Sequence, residues 1–283
     1  MIKRFLIKLR DFWQAPLIGR LRAECASFPI HLSNRNDIEY ENKRRLDDTL
    51  YLDRFGYKVY SQNDEDGIVA EIFRRIGTTN KQFVEFGVQN GLESNGHFLL
   101  HKGWHGLWID GDKKAFKQLA SVFARPIHSK QLTAINAFIT VENINSIISS
   151  SMGGGIDLLS IDIDGNDYWV WEAITCIKPR VVVIEYNAKF PPDYEWIMPY
   201  DLDHIWDTSD KQGASLKSLE LLGNKLGYQL VGTNMTGVNA FFVQRELAKD
   251  LFPLPATAEN LYHPMVFYIP IISGHPAKYY IGE

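Results

Sequence analysis

Apolar and polar positions alternate between two periods along this chain. From Asp66 to Ile76 the apolar residues follow a helical spacing. Short apolar blocks then begin at Phe83 and recur at His105 to Asp110, near Ile127 to Ala134, at Ile156 to Asp162, at Arg180 to Tyr186, at Tyr228 to Gly232 and at Val238 to Val243. Each reads as a strand, and helical patterns separate most of them. The runs Leu158-Leu159-Ser160-Ile161 and Val181-Val182-Val183-Ile184 lack the in-out alternation of a half-exposed sheet, as parallel strands covered on both faces do. The last two blocks are too close for a crossover, so they predict a hairpin turning near Asn234 to Gly237 and an antiparallel edge strand. The expected fold is α/β: a Rossmann-like three-layer sandwich on a mostly parallel seven-stranded sheet whose last strand is antiparallel.

Before the sheet, residues 1–52 read as a charged, helix-prone extension; residues 53–250 then form the main domain and 251–283 a C-terminal extension. Within the first segment Ile2, Phe5, Leu6, Leu9, Phe12 and Trp13 recur at helical spacing among Lys3, Arg4, Lys8 and Arg10, up to Pro16. Such a stripe packs on the main domain or on a second copy of the chain, or it lies at the surface of the inner membrane through residues 1–15. No apolar run approaches the ~20 residues of a membrane span, and the first residues lack the apolar stretch of a signal peptide.

Composition narrows the function classes. The 283 residues are 45% hydrophobic and 13% aromatic, enough for a full core. A net charge of -4 argues against general nucleic-acid binding. Only Cys25 and Cys176 occur, so neither a disulfide framework nor a cysteine metal site is available, which suits a reducing cytoplasm.

The candidate chemistry sits at strand ends. Phe83-Val84-Glu85-Phe86-Gly87-Val88-Gln89-Asn90-Gly91 reads as a buried strand breaking into a glycine turn, and Gly106-Leu107-Trp108-Ile109-Asp110 as its neighbour ending on an acid. Gly87 and Gly91 permit a tight turn, and Asp110 can accept hydrogen bonds from ribose hydroxyls. The spacing is G-x-x-x-G, and Glu85 precedes the first glycine, where it would repel a pyrophosphate and attract a sulfonium or an ammonium.

With Tyr60-Ser61-Gln62-Asn63-Asp64-Glu65-Asp66-Gly67, Ile161-Asp162-Ile163-Asp164-Gly165 and Asn239-Ala240-Phe241-Phe242, these segments in this order make the chain resemble class I S-adenosylmethionine-dependent methyltransferases, within them the FkbM-like sugar and natural-product O-methyltransferases. The likeness runs from about Tyr60 to Arg245. It implies an S-adenosylmethionine site at Glu85, Gly87, Gly91 and Asp110 with Ala137 and Phe138 as the adenine wall. It also implies a carbohydrate hydroxyl as acceptor, in a surface polysaccharide such as O-antigen or capsule, or in its precursor. Ser61, Gln62 and Glu65 resemble the segment leading into the cofactor pocket, and equally suit helix capping.

The densest chemistry is Asp162-Ile163-Asp164-Gly165-Asn166-Asp167, followed one strand later by Glu185-Tyr186-Asn187. Asp162, Asp164 and Glu185 are the expected catalytic acids. Either Asp164, Glu185 and Asn187 hold a magnesium ion, or one carboxylate acts as base to the acceptor hydroxyl. Asp167, with Asp164 or Asn166, also suits a plain helix start. Asp162-Ile163-Asp164 alternatively reads as the D-x-D site of a metal-dependent glycosyltransferase, which would leave Glu85, Gly87, Gly91 and Asp110 unexplained. Lys189 to Gly213, with His204, is long enough to form a lid, and Tyr168, Trp169, Trp171, Tyr194 and Trp196 are candidate sugar-stacking rings, with Trp169 and Trp171 better suited to the core.

Overall fold

The computed structural model of the chain describes residues 45–207, 209 and 211–265. Two compact units divide at Asp48 and Thr49. Of the first, residues 45–48 are described, with a helical turn at 45–47; the stripe from Ile2 to Trp13, and with it the expected membrane or subunit contact, lies outside them. No described helix is long and apolar enough to cross a membrane.

The second unit is built on seven strands: β1 (Gln82–Phe86), β2 (His105–Asp110), β3 (Leu132–Asn136), β4 (Leu158–Ile161), β5 (Val181–Glu185), β6 (Tyr228–Thr233) and β7 (Asn239–Gln244). Their spatial order is β3-β2-β1-β4-β5-β7-β6. The pairs from β3 to β5 are parallel, and β7 runs antiparallel to both β5 and β6. The expected architecture is present, with one correction. The reversed strand is interior, and β6 forms the edge. Every residue of β7 is buried, and Ala240-Phe241-Phe242-Val243 supplies apolar side chains to both faces, so the strand is stable only between two neighbours. Asn234 sets the hairpin by accepting the amides of Val238 and Asn239, both at 2.9 Å, while Gly237 takes φ +71.

Alternate strand residues feed two cores. Val84, Ile109, Leu159, Ile184 and Phe242 pack with α5 (Ile144–Ser151), α6 (Asp167–Ala173) and α7 (Leu216–Leu226). On the other face Phe83, Trp108, Leu158, Val183 and Phe241 meet α1 (Glu65–Ile76), α2 (Asn95–His101) and α3 (Lys113–Val122). Short helices α4 (Ala124–His128), α8 (Arg245–Ala248) and α9 (Ala258–Leu261) complete the unit.

Three expected boundaries move. The stretch near Ile127 to Ala134 begins as α4, because Pro126 lies in a first helical turn where its missing N–H costs nothing, and β3 starts only at Leu132 after the left-handed Lys130. Tyr51 and Leu52 are buried in the cores, so the domain starts by Thr49 rather than at 53. Phe252, Ala258 and Leu261 are core residues too, so the chain to 265 belongs to the same unit instead of forming a separate extension.

Candidate functional site

The parallel strands end on one side of the sheet, and the loops leaving β1, β2, β3 and β4 enclose a cleft there. Gly87, at φ +68, is its pivot. A Cβ on Gly87 would run into the carbonyl oxygen of Asp162, so the loops after β1 and β4 approach as closely as they do only because this position has no side chain. Gly91, at φ +78, serves packing instead, since a Cβ there would press on the rings of Trp108 at 2.7 Å and Phe123 at 2.9 Å. It lets the loop close over the core and lines neither chamber described next, contrary to its expected place beside a ligand.

The cleft has a polar chamber of about 280 Å³ and a larger one of about 580 Å³. Gly87, Gln89 and Asp162 border both. The polar chamber is bounded by Gln62, Glu85, Asn95, Ser160, Asp162 and Asn239. Asp110, Ala137, Phe138, Ile163, His204 and Trp206 are among the residues of the larger one. No lysine or arginine lines either chamber among the described residues.

Glu85 is not a free strand-tip anion. Strand alternation turns it toward α2, beside its register partner Trp108. Its carboxylate accepts the Asn95 amide at 2.7 Å, the Gly96 amide at 2.8 Å and the Trp108 indole N–H at 2.7 Å. It thereby caps the N-terminus of α2, and burial raises its pKa to about 7 despite those donors. The expected attraction to a cationic ligand is correspondingly weakened, although Glu85 still borders the polar chamber.

Asp110 stands at the tip of β2 as expected. Its oxygens accept the amides of Gln89 at 2.6 Å and Asp112 at 2.7 Å, which orients the carboxylate and ties together the loops after β1 and β2. Burial raises its pKa. Asp112 caps α3 through the amides of Lys114 and Ala115. Ala137 and Phe138 follow β3 into the larger chamber, where the Phe138 ring lies against Gly111 and remains 47% exposed.

The acids after β4 and β5 converge. Asp162, Asp164 and Glu185 each bring a carboxylate oxygen within 4.8 Å of the others. Burial, then mutual repulsion, raises Asp162 and Glu185 well above the ordinary carboxylate range, and burial raises Asp164 against the opposing influence of His204. Asp167 is structural: its oxygens accept the amides of Ile163 and Gly165, both at 2.8 Å, and so fix the loop that carries the other acids. Asp164 sits at φ +53 within that loop, a conformation aspartate tolerates better than most residues. Asn187, the third expected metal ligand, spends its amide on its own loop, donating to the Gln212 carbonyl at 3.2 Å and accepting from the Lys189 amide at 3.3 Å. Asp162 joins the expected pair Asp164 and Glu185 in the converging set of carboxylates.

The segment after β5 carries no helix or strand of its own through Gly213 among its described residues. Asn166 holds it through the Asp201 carbonyl at 2.7 Å and the Asp201 amide at 3.2 Å. The His204 ring lies against Gly165, with its Nε2 3.0 Å from the Asp164 carbonyl oxygen. Beyond it Ile205 and Trp206 border the larger chamber while 79% and 44% exposed. None of Tyr168, Trp169, Trp171, Tyr194 and Trp196 borders either chamber; Trp171 is core, and Trp169 donates to the Met198 carbonyl at 2.7 Å. Sequence reasoning therefore missed Trp206, and it passed over Asn95 and Ser160, which carry no local signal.

No family model and no curated protein matches this chain. Among solved structures, the N-terminal domain of EvdMO1 with SAH bound is 12% identical, with 74% of this chain and 94% of that one covered and a TM-score of 0.41. A putative caffeoyl-CoA O-methyltransferase from Staphylococcus aureus is 14% identical, covering 83% and 100% of the two chains at a TM-score of 0.44. A putative O-methyltransferase from Klebsiella pneumoniae is 13% identical, covering 73% and 86% at a TM-score of 0.42. These are similarities of fold; what the cleft can do follows from its own residues.

Proposed function

We propose that the cleft binds S-adenosylmethionine and that the chain is an O-methyltransferase acting on a carbohydrate hydroxyl, in a surface polysaccharide or its precursor. One observation carries this reading: a nucleoside-sized chamber meets an acceptor-rich polar chamber at Gly87 and Asp162. In the larger chamber Asp110 offers its remaining lone pairs to ribose hydroxyls, while Phe138, Ala137 and Ile163 supply apolar surface for a base. In the smaller chamber the Asp162 carboxylate accepts no protein donor among the described residues and suits a cationic amino-acid end. Acids without a lining lysine or arginine among the described residues disfavour the pyrophosphate of a dinucleotide, and a glycosyltransferase role for Asp162 and Asp164 would leave the chamber of Asp110 and Phe138 without an assignment.

The bound cofactor would supply an electrophilic methyl group. The chain's own part is to position the acceptor and receive its proton. Trp206 and Ile205 present exposed apolar surface at the rim, suited to the C–H face of a sugar ring. One of the crowded carboxylates of Asp162, Asp164 and Glu185, all raised by burial and the first and last also by mutual repulsion, takes the hydroxyl proton as it leaves oxygen. The same all-oxygen set fits a magnesium ion, which Asp162, Asp164 and Glu185 would hold and which would lower the acceptor's pKa instead.

Calorimetry with S-adenosylhomocysteine, NAD and a uridine diphosphate sugar tests the assignment. Binding of the first alone, with a dissociation constant on the order of micromolar, is expected. Binding of the nucleotide sugar without S-adenosylhomocysteine would overturn it.

A further inference from the structure

Glu65 opens α1 and is completely buried, yet it makes no ion pair among the described residues. Its carboxylate instead collects four donors. Oε2 accepts the Asn63 amide at 2.8 Å; Oε1 accepts the side-chain amides of Asn63 at 3.2 Å, Asn234 at 2.8 Å and Asn239 at 2.9 Å. A carboxylate receiving donors only fixes which way each of these amides faces. For Asn234 the consequence is internal, since its oxygen already holds the hairpin amides of Val238 and Asn239. For Asn239 it is external. With its side-chain nitrogen committed to Glu65, its side-chain oxygen has no protein donor among the described residues, and the residue borders the polar chamber beside Asp162. Asn95 repeats the arrangement on the same chamber, donating its side-chain nitrogen to Ser160 Oγ at 3.0 Å and leaving its side-chain oxygen without a donor among the described residues.

We infer that Glu65 is a positioning residue for ligand binding, acting through Asn239: it turns the Asn239 carbonyl toward the polar chamber and so makes that chamber selective for a primary ammonium group. The inference rests on the reading of the cleft as an S-adenosylmethionine site. An ammonium has three N–H groups and no acceptor, and Asn239, Asn95 and Asp162 supply acceptors left without donors among the described residues. Were the Asn239 amide reversed, its NH2 would meet the ammonium and repel it. The Glu65 contact forbids that reversal. Because Asn234 and Asn239 flank the β6–β7 turn while Glu65 begins α1, the same carboxylate brings Asn239 and Gln62 to one chamber from segments far apart in the chain.

Two ligands separate this role from a purely structural one: S-adenosylhomocysteine, and 5′-methylthioadenosine, which keeps the nucleoside and thioether but lacks the amino-acid end. Calorimetry on the full chain, with Glu65→Gln, Asn239→Ala and the double variant, should show each single change weakening S-adenosylhomocysteine about tenfold to a hundredfold. Affinity for 5′-methylthioadenosine should stay within about threefold, and the double variant should be no weaker than Asn239→Ala alone. Equal losses for both ligands, or losses that add in the double variant, would overturn the positioning role. If Glu65→Gln does not fold, Asn239→Ala decides by the same pair of ligands, since it removes one donor and leaves Glu65 the other three. A wild-type chain that binds neither ligand refutes the cofactor reading itself, an outcome distinct from selective binding that the variants leave untouched.

Discussion

Asp64 occupies the N-cap position of α1, yet its side chain makes no cap hydrogen bond. It is 2% exposed, and neither oxygen has a hydrogen-bond partner of good geometry among the described residues. Burial, followed by the charge of Glu65, raises its pKa to about 7 from 3.8, with the nearby amides of Asp64 and Met235 offsetting only part of the rise. Ionising the group in the fold, rather than in the unfolded chain, therefore costs roughly 4 kcal/mol. The sign follows from proton binding. The folded chain keeps this proton to higher pH than the unfolded chain does, so the cost is absent below about pH 4 and stability is lost as pH rises through about 7. Asp64→Asn keeps the shape, removes the charge and gives up a helix-dipole contribution of at most about 1 kcal/mol. The variant should therefore be more stable than the wild type by roughly 3 kcal/mol at pH 8 and equal to it within about 1 kcal/mol at pH 4. Urea unfolding at pH 4, 6 and 8 reads this as a midpoint difference that grows with pH at constant slope. Glu85 and the cleft acids add their own pH dependence to both proteins, which is why the difference between them is the quantity to follow. A gap of the same size at every pH, or a variant less stable at pH 8, would refute the reasoning.

Gly87→Ala should lower stability by about 1–2 kcal/mol for its left-handed backbone alone, with more for the collision with the Asp162 carbonyl, and should abolish S-adenosylhomocysteine binding; thermal unfolding and calorimetry check the two parts. Asp110→Asn should weaken S-adenosylhomocysteine by roughly 1–3 kcal/mol, and an unchanged affinity by calorimetry would remove Asp110 from the ribose role. Asp164→Asn and Glu185→Gln should each cut turnover at least about a hundredfold with cofactor affinity nearly unchanged. Since the pKa values of these acids are raised, wild-type turnover should climb with pH as they lose protons; loss of activity with a chelator and recovery with magnesium would assign them to a metal instead. Gly165→Ala should displace the His204 ring and raise KM for the acceptor more than for S-adenosylmethionine, which steady-state kinetics would show.

Local pattern settled what depends on local pattern. Unbroken apolar runs in β4 and β5 marked buried parallel strands, and the short gap after β6 marked the hairpin, because burial on both faces and tight turns each leave a composition that sequence displays. Strand-end position likewise gave the convergence of Asp162, Asp164 and Glu185, since parallel strands deliver their ends to one side of a sheet. What a side chain faces was another matter. Glu85 and Gly91 both read as ligand contacts, but strand alternation commits Glu85 to a helix cap while it borders the polar chamber, and the close pass of Trp108 gives Gly91 to packing. Asn187 turned to its own loop, while Asn95 and Trp206 reached the cleft without a distinguishing neighbourhood in the chain, and Asn239 stood out only as part of a motif that gave it no role. The sequence alone determined the sheet and the acids at its mouth; only the tertiary structure decided which polar groups were already satisfied by the protein. Hydrogen bonds between residues far apart, such as Glu65 with Asn239, consume acceptors and donors regardless of sequence spacing, and the groups left over are those a ligand can use.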